Sequence, residues 1–235
     1  MQLTIIQTGE VPVSLRPRFA PYATMFESMF DRTGQGFGYQ TIKIADGAPF
    51  PDLSRLEAVV ITGSAAGVYD DLPWMDPLRD FIRKGYQQRM PMLGICFGHQ
   101  VMADALGGVV RKSEKGWGLG RHTYGVGERP SYMQLAPESL SVACSHQDQV
   151  ITPPAEADVI LASPFTPNAG LAYRNGAALS FQPHPEFDDD YTLALAELRR
   201  GNAPDDLVDT AIASLSTPSD SADVARYIAR FFKGN

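Results

Sequence analysis

Across residues 1–108, short apolar runs alternate with segments of helical periodicity, and this alternation narrows the possible architectures more than anything else in the chain. LTIIQT, LEAVVITG and PMLGIC have the length and apolar density of buried strands, and YQTIKIA reads as a further strand. Helical patterns separate them. YATMFESMFDRTG sets Met25, Phe26, Met29 and Phe30 at core-facing spacing, with Gly34 as the stop. DPLRDFIRKGYQQRM follows the third run, with Asp76 as N-cap and Pro77 as first helical residue, and HQVMADALGG follows the fourth. Strands that return through helices are parallel and need cover on both faces. The expected fold class is therefore α/β, a doubly wound and mainly parallel sheet with a site at the carboxyl ends of its strands.

Residues 109–182 read differently. GGVVRK, SVACS, DVILAS, AGLAYRN and AALSFQ are strand-like runs broken by turn residues, which predicts further sheet, partly antiparallel. YTLALAELRRG and SADVARYIARFFKG are amphipathic helices, and the segment between them has room for a short third. No linker marks a boundary, so we expect one domain over residues 1–235, with 188–235 as a helical C-terminal extension.

Composition excludes several classes. The net charge of -7 argues against nucleic acid or an anionic membrane surface as partner. The short basic clusters Arg111-Lys112, Lys115 and Arg199-Arg200 read as solvated surface. No apolar stretch approaches a membrane span or a signal peptide. Two cysteines are too few for a disulfide scaffold, so the expected compartment is the cytoplasm with both thiols reduced. With no C-x-x-C or H-E-x-x-H pattern, neither a metal nor any other cofactor is expected. The GVGERP glycines do not open a helix after a strand and carry no phosphate role.

One apolar run ends in chemistry. Gly94-Ile95-Cys96-Phe97-Gly98 has the glycine-x-nucleophile-x-glycine spacing of an elbow, with cysteine as the nucleophile. Such a turn strains the backbone between strand and helix, and side chains two residues to either side would collide. It leaves the sulfur at a helix N-terminus, where backbone N–H groups and the dipole favour thiolate. A cysteine at a strand end is by itself as compatible with a small core residue. A thiolate also needs a base that can later protonate a leaving group, and SFQPHPEF offers His184. Glu186 lies two residues on, so along an extended chain both side chains leave on one side and Glu186 can fix the imidazole tautomer.

GICFGHQ and QPHPEF together resemble the two signature blocks of the class I glutamine amidotransferases, and the resemblance extends over residues 1–190. VITGSAAGVYDD resembles that family's oxyanion segment, and SHQDQV the segment that holds the amino-acid end of the substrate. Carried over by position, the resemblance implies Cys96 as nucleophile, His184 as base and acid, and Glu186 as orienting carboxylate. It implies an oxyanion hole from the N–H groups of Ser64 and Phe97, although Gly63-Ser64 replaces the usual glycine pair. Gly63, Gln100, Ser145, Gln147 and Asp148 fall at substrate-binding positions. His99 and His146 do not occupy the base position and read as structural. Cys144, without elbow glycines, reads as buried and inert. Tyr69, Asp70, Asp71 and Trp74 follow the oxyanion loop and are candidates for the cleft entrance.

The resemblance implies cleavage of a γ-glutamyl amide, either glutamine or a γ-glutamyl peptide, through a γ-glutamyl thioester, with release of ammonia or an amine. The free-standing branch, similar to the γ-glutamyl peptidases and to the GMP synthase glutaminase domain, is the better match. A glutaminase subunit supplying ammonia to a separate synthetase would leave the same sequence. A non-catalytic binder on this fold would be marked by loss of Cys96, His184 or Glu186, and all three are present.

Overall fold

The computed structural model describes residues 1–234. Its main sheet has nine strands. From one edge, five of them lie in the order β2 (Gly38–Lys43), β1 (Gln2–Gln7), β3 (Ala58–Ile61), β4 (Met92–Ile95) and β11 (Ala178–Phe181), each parallel to its neighbours. Beyond β11, strands β10 (Gly170–Tyr173), β9 (Ala157–Ala162), β6 (Gly118–Val126) and β7 (Ser139–His146) continue antiparallel, in that order.

The alternation within each strand sorts the core into two faces. Leu3, Ile5, Val60, Leu93 and Ile95 pack with helices α1 (Tyr22–Asp31) and α6 (Ser221–Lys233). Ile6, Val59, Ile61 and Met92 face the other way, onto α2 (Met75–Gln87) and α3 (Phe97–Ala105). Helices on both faces are what the double winding predicted.

Three expectations need correction. Asp76 is not the cap of α2: Trp74 holds that position, and Asp76 sits in the first turn, 2.7 Å from Arg79. Met25 is only half-buried, and it packs beside α4 (Asp189–Glu197) rather than in the main core. GGVVRK does not extend the main sheet. Its strand β5 (Val109–Lys112) pairs with β8 (Asp148–Thr152) in a separate two-stranded ribbon. The glycine-rich GLGRHTYGV, whose composition resembles a turn, is β6, the longest strand.

Helices α4 and α5 (Asp205–Ser214) pack against β6 and β7 through Leu119, Ala143, Leu195 and Val208. Buried Arg121 of β6 ties them down, donating to the carbonyls of Leu215 and Thr217 and pairing with Asp189. Charge-assisted bonds from a buried arginine fix an element's end more firmly than apolar packing alone.

Candidate active site

Cys96 occupies the turn between β4 and α3 with φ 54° and ψ -104°, a conformation that costs a side-chain-bearing residue on the order of 1–3 kcal/mol. The flanking glycines make the turn possible. A Cβ on Gly94 would lie 2.4 Å from the carbonyl oxygen of Gly98, and one on Gly98 would lie 2.2 Å from that of Ile61 in β3. The Cys96 N–H donates to the Phe181 carbonyl of β11 at 2.8 Å, and its carbonyl accepts from the Gln100 N–H at 3.0 Å. The elbow is thus fastened to the neighbouring strand on one side and to its own helix on the other.

His184 arrives from the far side of β11. Its N–H donates to the Ala143 carbonyl at 2.8 Å, and its Nδ1 lies 2.7 Å from Glu186 Oε1. The two side chains do not meet along an extended strand as the spacing suggested. β11 ends at Phe181, and a turn at residues 185–186 folds the carboxylate back onto the ring. Both side chains are buried, at 4% and 1% exposure. Burial pushes the His184 pKa down, but the Glu186 charge and, after it, Cys96 outweigh burial and raise it to about 10. Gly63 supplies the space: a Cβ there would sit 3.0 Å from His184 Cε1 and 3.7 Å from Cys96 Cβ.

The candidate oxyanion donors follow β3 and β4. Ser64 has no positive φ, so a side chain there is unstrained. Its hydroxyl donates to the Thr8 carbonyl at 2.9 Å and accepts from the Ala66 N–H at 3.2 Å. Among the described residues, neither the Ser64 N–H nor the Phe97 N–H donates to a protein acceptor.

A cleft of about 390 Å³ opens over Cys96, and Ser64, Gln100, Ser145, Gln147 and Asp148 line it. Gly63 is not on its wall and acts from behind, against His184. Gln100 is engaged internally. Its amide nitrogen donates to the Asp148 carbonyl at 2.8 Å and to Gln182 Oε1 at 3.1 Å, which ties α3 to the start of β8. Tyr69 and Asp70 also line the cleft, and the Tyr69 hydroxyl donates to Asp148 Oδ2 at 2.8 Å. Trp74 stands elsewhere, edge-on to Phe97 at 5.8 Å, and Asp71 is exposed outside the lining.

The remaining histidines near the site and the second cysteine are buried. His99 Nδ1 pairs with the Ser180 hydroxyl at 2.8 Å, and His146 Nδ1 with the Asp148 carbonyl at 3.2 Å. Burial lowers both to about 3, which keeps them neutral. Cys144 is 1% exposed, and burial raises its thiol well above the usual range. No cluster of three or more His, Cys, Asp or Glu among the described residues could hold a metal ion. No helix among them is long and apolar enough to cross a membrane.

Four side chains around the site escape the sequence pattern. Phe187 stacks flat on the His184 imidazole, 3.9 Å between centroids. Gln182 receives Gln100. Arg199, expected at the solvated surface, lies in the cleft wall with Trp117. Lys112, also expected there, lines the same cleft. The PHPEF stretch contains Phe187, but stacking has no signature in a linear pattern.

Comparison with known proteins identifies the family. The family model described as "Glutamine amidotransferase class-I" matches residues 38–191. The chain is similar to gamma-glutamyl peptidase 4 of Arabidopsis thaliana, with 28% identity over 84% of this chain and 81% of that protein. It is also similar to one subunit of the glutamine-hydrolyzing GMP synthase of Saccharolobus solfataricus, with 30% identity over 59% of this chain and 71% of that one. A solved glutamine amidotransferase structure from Thermotoga maritima has a TM-score of 0.76 at 20% identity, covering 99% of each chain, which carries the fold.

Proposed function

The chain belongs to the class I glutamine amidotransferases, a family of enzymes, and from that premise we propose that it is a free-standing hydrolase of γ-glutamyl amides using a Cys96-His184-Glu186 triad. The observation that carries this reading is the elbow cysteine facing a histidine whose Nδ1 lies 2.7 Å from a buried carboxylate.

The Cys96 thiolate attacks the γ-carboxamide carbon. The N–H groups of Ser64 and Phe97 receive the oxyanion, a contribution of about 3–4 kcal/mol for one such donor. His184, held protonated by Glu186, gives its proton to the departing nitrogen as the C–N bond breaks, leaving a γ-glutamyl thioester and free ammonia or amine. Neutral His184 then takes a proton from water. The hydroxide adds to the thioester carbon, the C–S bond breaks, and glutamate leaves with the thiolate-imidazolium pair restored. Gln100 presents its amide oxygen to the glutamyl group, and Gly63 keeps room for the imidazole. Ser145, Gln147 and Asp148 hold the α-amino and α-carboxylate groups where β7 passes into β8. We assign residues 1–235 to one domain, whose segment 188–235 contributes Arg199 to the cleft, and place the enzyme in the cytoplasm without a metal or other cofactor.

Similarity to the gamma-glutamyl peptidase supports a lone hydrolase. Similarity to the GMP synthase subunit favours a second reading, a glutaminase that passes ammonia to a separate synthetase. Purified protein assayed with glutamine, glutathione and γ-glutamyl dipeptides separates them. Amine release from peptides by the lone protein is the expected result. Glutamine turnover that appears only with an added synthetase would establish the second reading.

A further inference from the structure

Two fully buried polar side chains between α3 and β11 take no part in the proposed chemistry. His99 Nδ1 pairs with the Ser180 hydroxyl at 2.8 Å, and both residues are 0% exposed. Apart from Gln100, the other buried side chains of α3 are apolar, and Ser180 is the one polar residue of β11. A buried hydrogen bond gains little net stability over an apolar pair of the same shape. This pair also leaves His99 Nε2 without a partner among the described residues, which adds a cost. Stability therefore does not account for it. What a hydrogen bond supplies beyond apolar contact is direction.

The two elements that the bond joins carry the two reacting groups. α3 begins at Phe97, directly after Cys96, and β11 ends at Phe181, three residues before His184. His99 follows Cys96 by three positions, so the two lie along one side of the elbow helix, and a rotation of α3 that moves one moves the other. Ser180 pairs with Gly94 in the register of β4 and β11, level with the start of the elbow. Two further bonds cross the same joint, from the Cys96 N–H to the Phe181 carbonyl at 2.8 Å and from Gln100 to Gln182 at 3.1 Å. We propose that His99 is a positioning residue: its bond to Ser180 fixes the rotation of α3 on β11, and so the line from the Cys96 sulfur to the His184 imidazole. This rests on the hydrolase reading and deepens it. Neither His99 nor Ser180 lines the cleft, so loss of their bond alters alignment and leaves substrate binding alone.

The double variant His99→Leu/Ser180→Ala separates alignment from stability. It removes both polar groups together, so neither is left unsatisfied, and chemical denaturation gives a midpoint near that of the intact protein. With a γ-glutamyl peptide, kcat falls by roughly tenfold to a hundredfold while KM stays within about twofold. His99→Asn, which keeps a polar atom near the place of Nδ1, retains most of the kcat. Unaltered kcat in the double variant, or a loss that falls in KM, overturns the assignment, as does a loss in His99→Asn as large as in the double variant. If the double variant does not fold, Ser180→Ala takes its place and is read against His99→Asn in the same way. The His184 imidazole, titrated by NMR without substrate, reports the same geometry, because Cys96 is one of the groups that hold its pKa up at about 10. It titrates lower in the double variant, and an unaltered value overturns the proposal. If the intact protein cleaves neither glutamine nor γ-glutamyl peptides, the hydrolase reading fails, and this titration decides the role of His99 by itself.

Discussion

The His184 imidazole lies flat against the Phe187 ring, with centroids 3.9 Å apart and planes 7° from parallel. Phe187 is itself clamped, edge-on against Tyr191 at 4.6 Å and stacked on Tyr22 at 5.9 Å. The imidazole is thus held on one face by an aromatic wall and at Nδ1 by Glu186. Phe187→Leu keeps most of the apolar volume and removes the flat surface. We expect kcat to fall by roughly tenfold to a hundredfold with little change in KM, as positioning loss without binding loss requires. Steady-state kinetics on a γ-glutamyl peptide checks this.

Glu186→Gln removes the largest influence holding the His184 pKa up. Burial is then opposed by Cys96 alone, and the imidazole pKa should fall from about 10. Cys96→Ala removes the other group that raises it and should lower it as well. Imidazole NMR titrations should show a lowered His184 pKa in both variants. The same shift links to stability. His184 is raised on folding, so its contribution is complete below about pH 6.5 and is lost as pH rises through about 10. The melting temperature of the unaltered protein should fall across that window, and Glu186→Gln should lack this component of the slope.

Ser64 is proposed to act through its backbone N–H, so the two halves of the residue separate by mutation. Ser64→Ala keeps the donor and loses only the hydroxyl bonds to Thr8 and Ala66. Ser64→Pro deletes the donor. We expect Ser64→Ala to stay within about tenfold of the original kcat and Ser64→Pro to lose roughly a hundredfold to a thousandfold. Circular dichroism confirms that the proline variant remains folded.

Gly98→Ala probes the elbow itself. Its methyl group would meet the Ile61 carbonyl at 2.2 Å, and neither β3 nor α3 can yield without moving Cys96. Chemical denaturation should show a loss of about 1–3 kcal/mol or more, the usual range for overpacking a core. Thiol labelling of Cys96 should change at the same time.

Much of this is legible in the sequence, and the physical reason differs by element. The inner parallel strands β1, β3, β4 and β11 are buried on both faces, so they appear as mainly apolar runs, whereas edge strand β2 is largely exposed. The Gly94–Gly98 elbow is legible because each glycine answers a steric demand. β6 is not, since Gly118, Gly120 and Gly125 imitate a turn in a strand that needs close approach: a Cβ on Gly120 would sit 2.3 Å from the Ala211 carbonyl of α5. Arg199 escapes for a related reason. A basic pair at a helix end resembles solvated surface, and only the packing of α4 and α5 on β6 turns one arginine inward while Arg200 stays outside. The histidine and carboxylate of PHPEF are readable as partners, but the turn that joins them is not.

The central claim is that Cys96 carries the chemistry, and amine release from a γ-glutamyl peptide by Cys96→Ala tests it most directly. The account predicts a loss of on the order of a thousandfold or more in kcat with the fold intact. Hydrolysis by Cys96→Ala at the rate of the unaltered protein would contradict it.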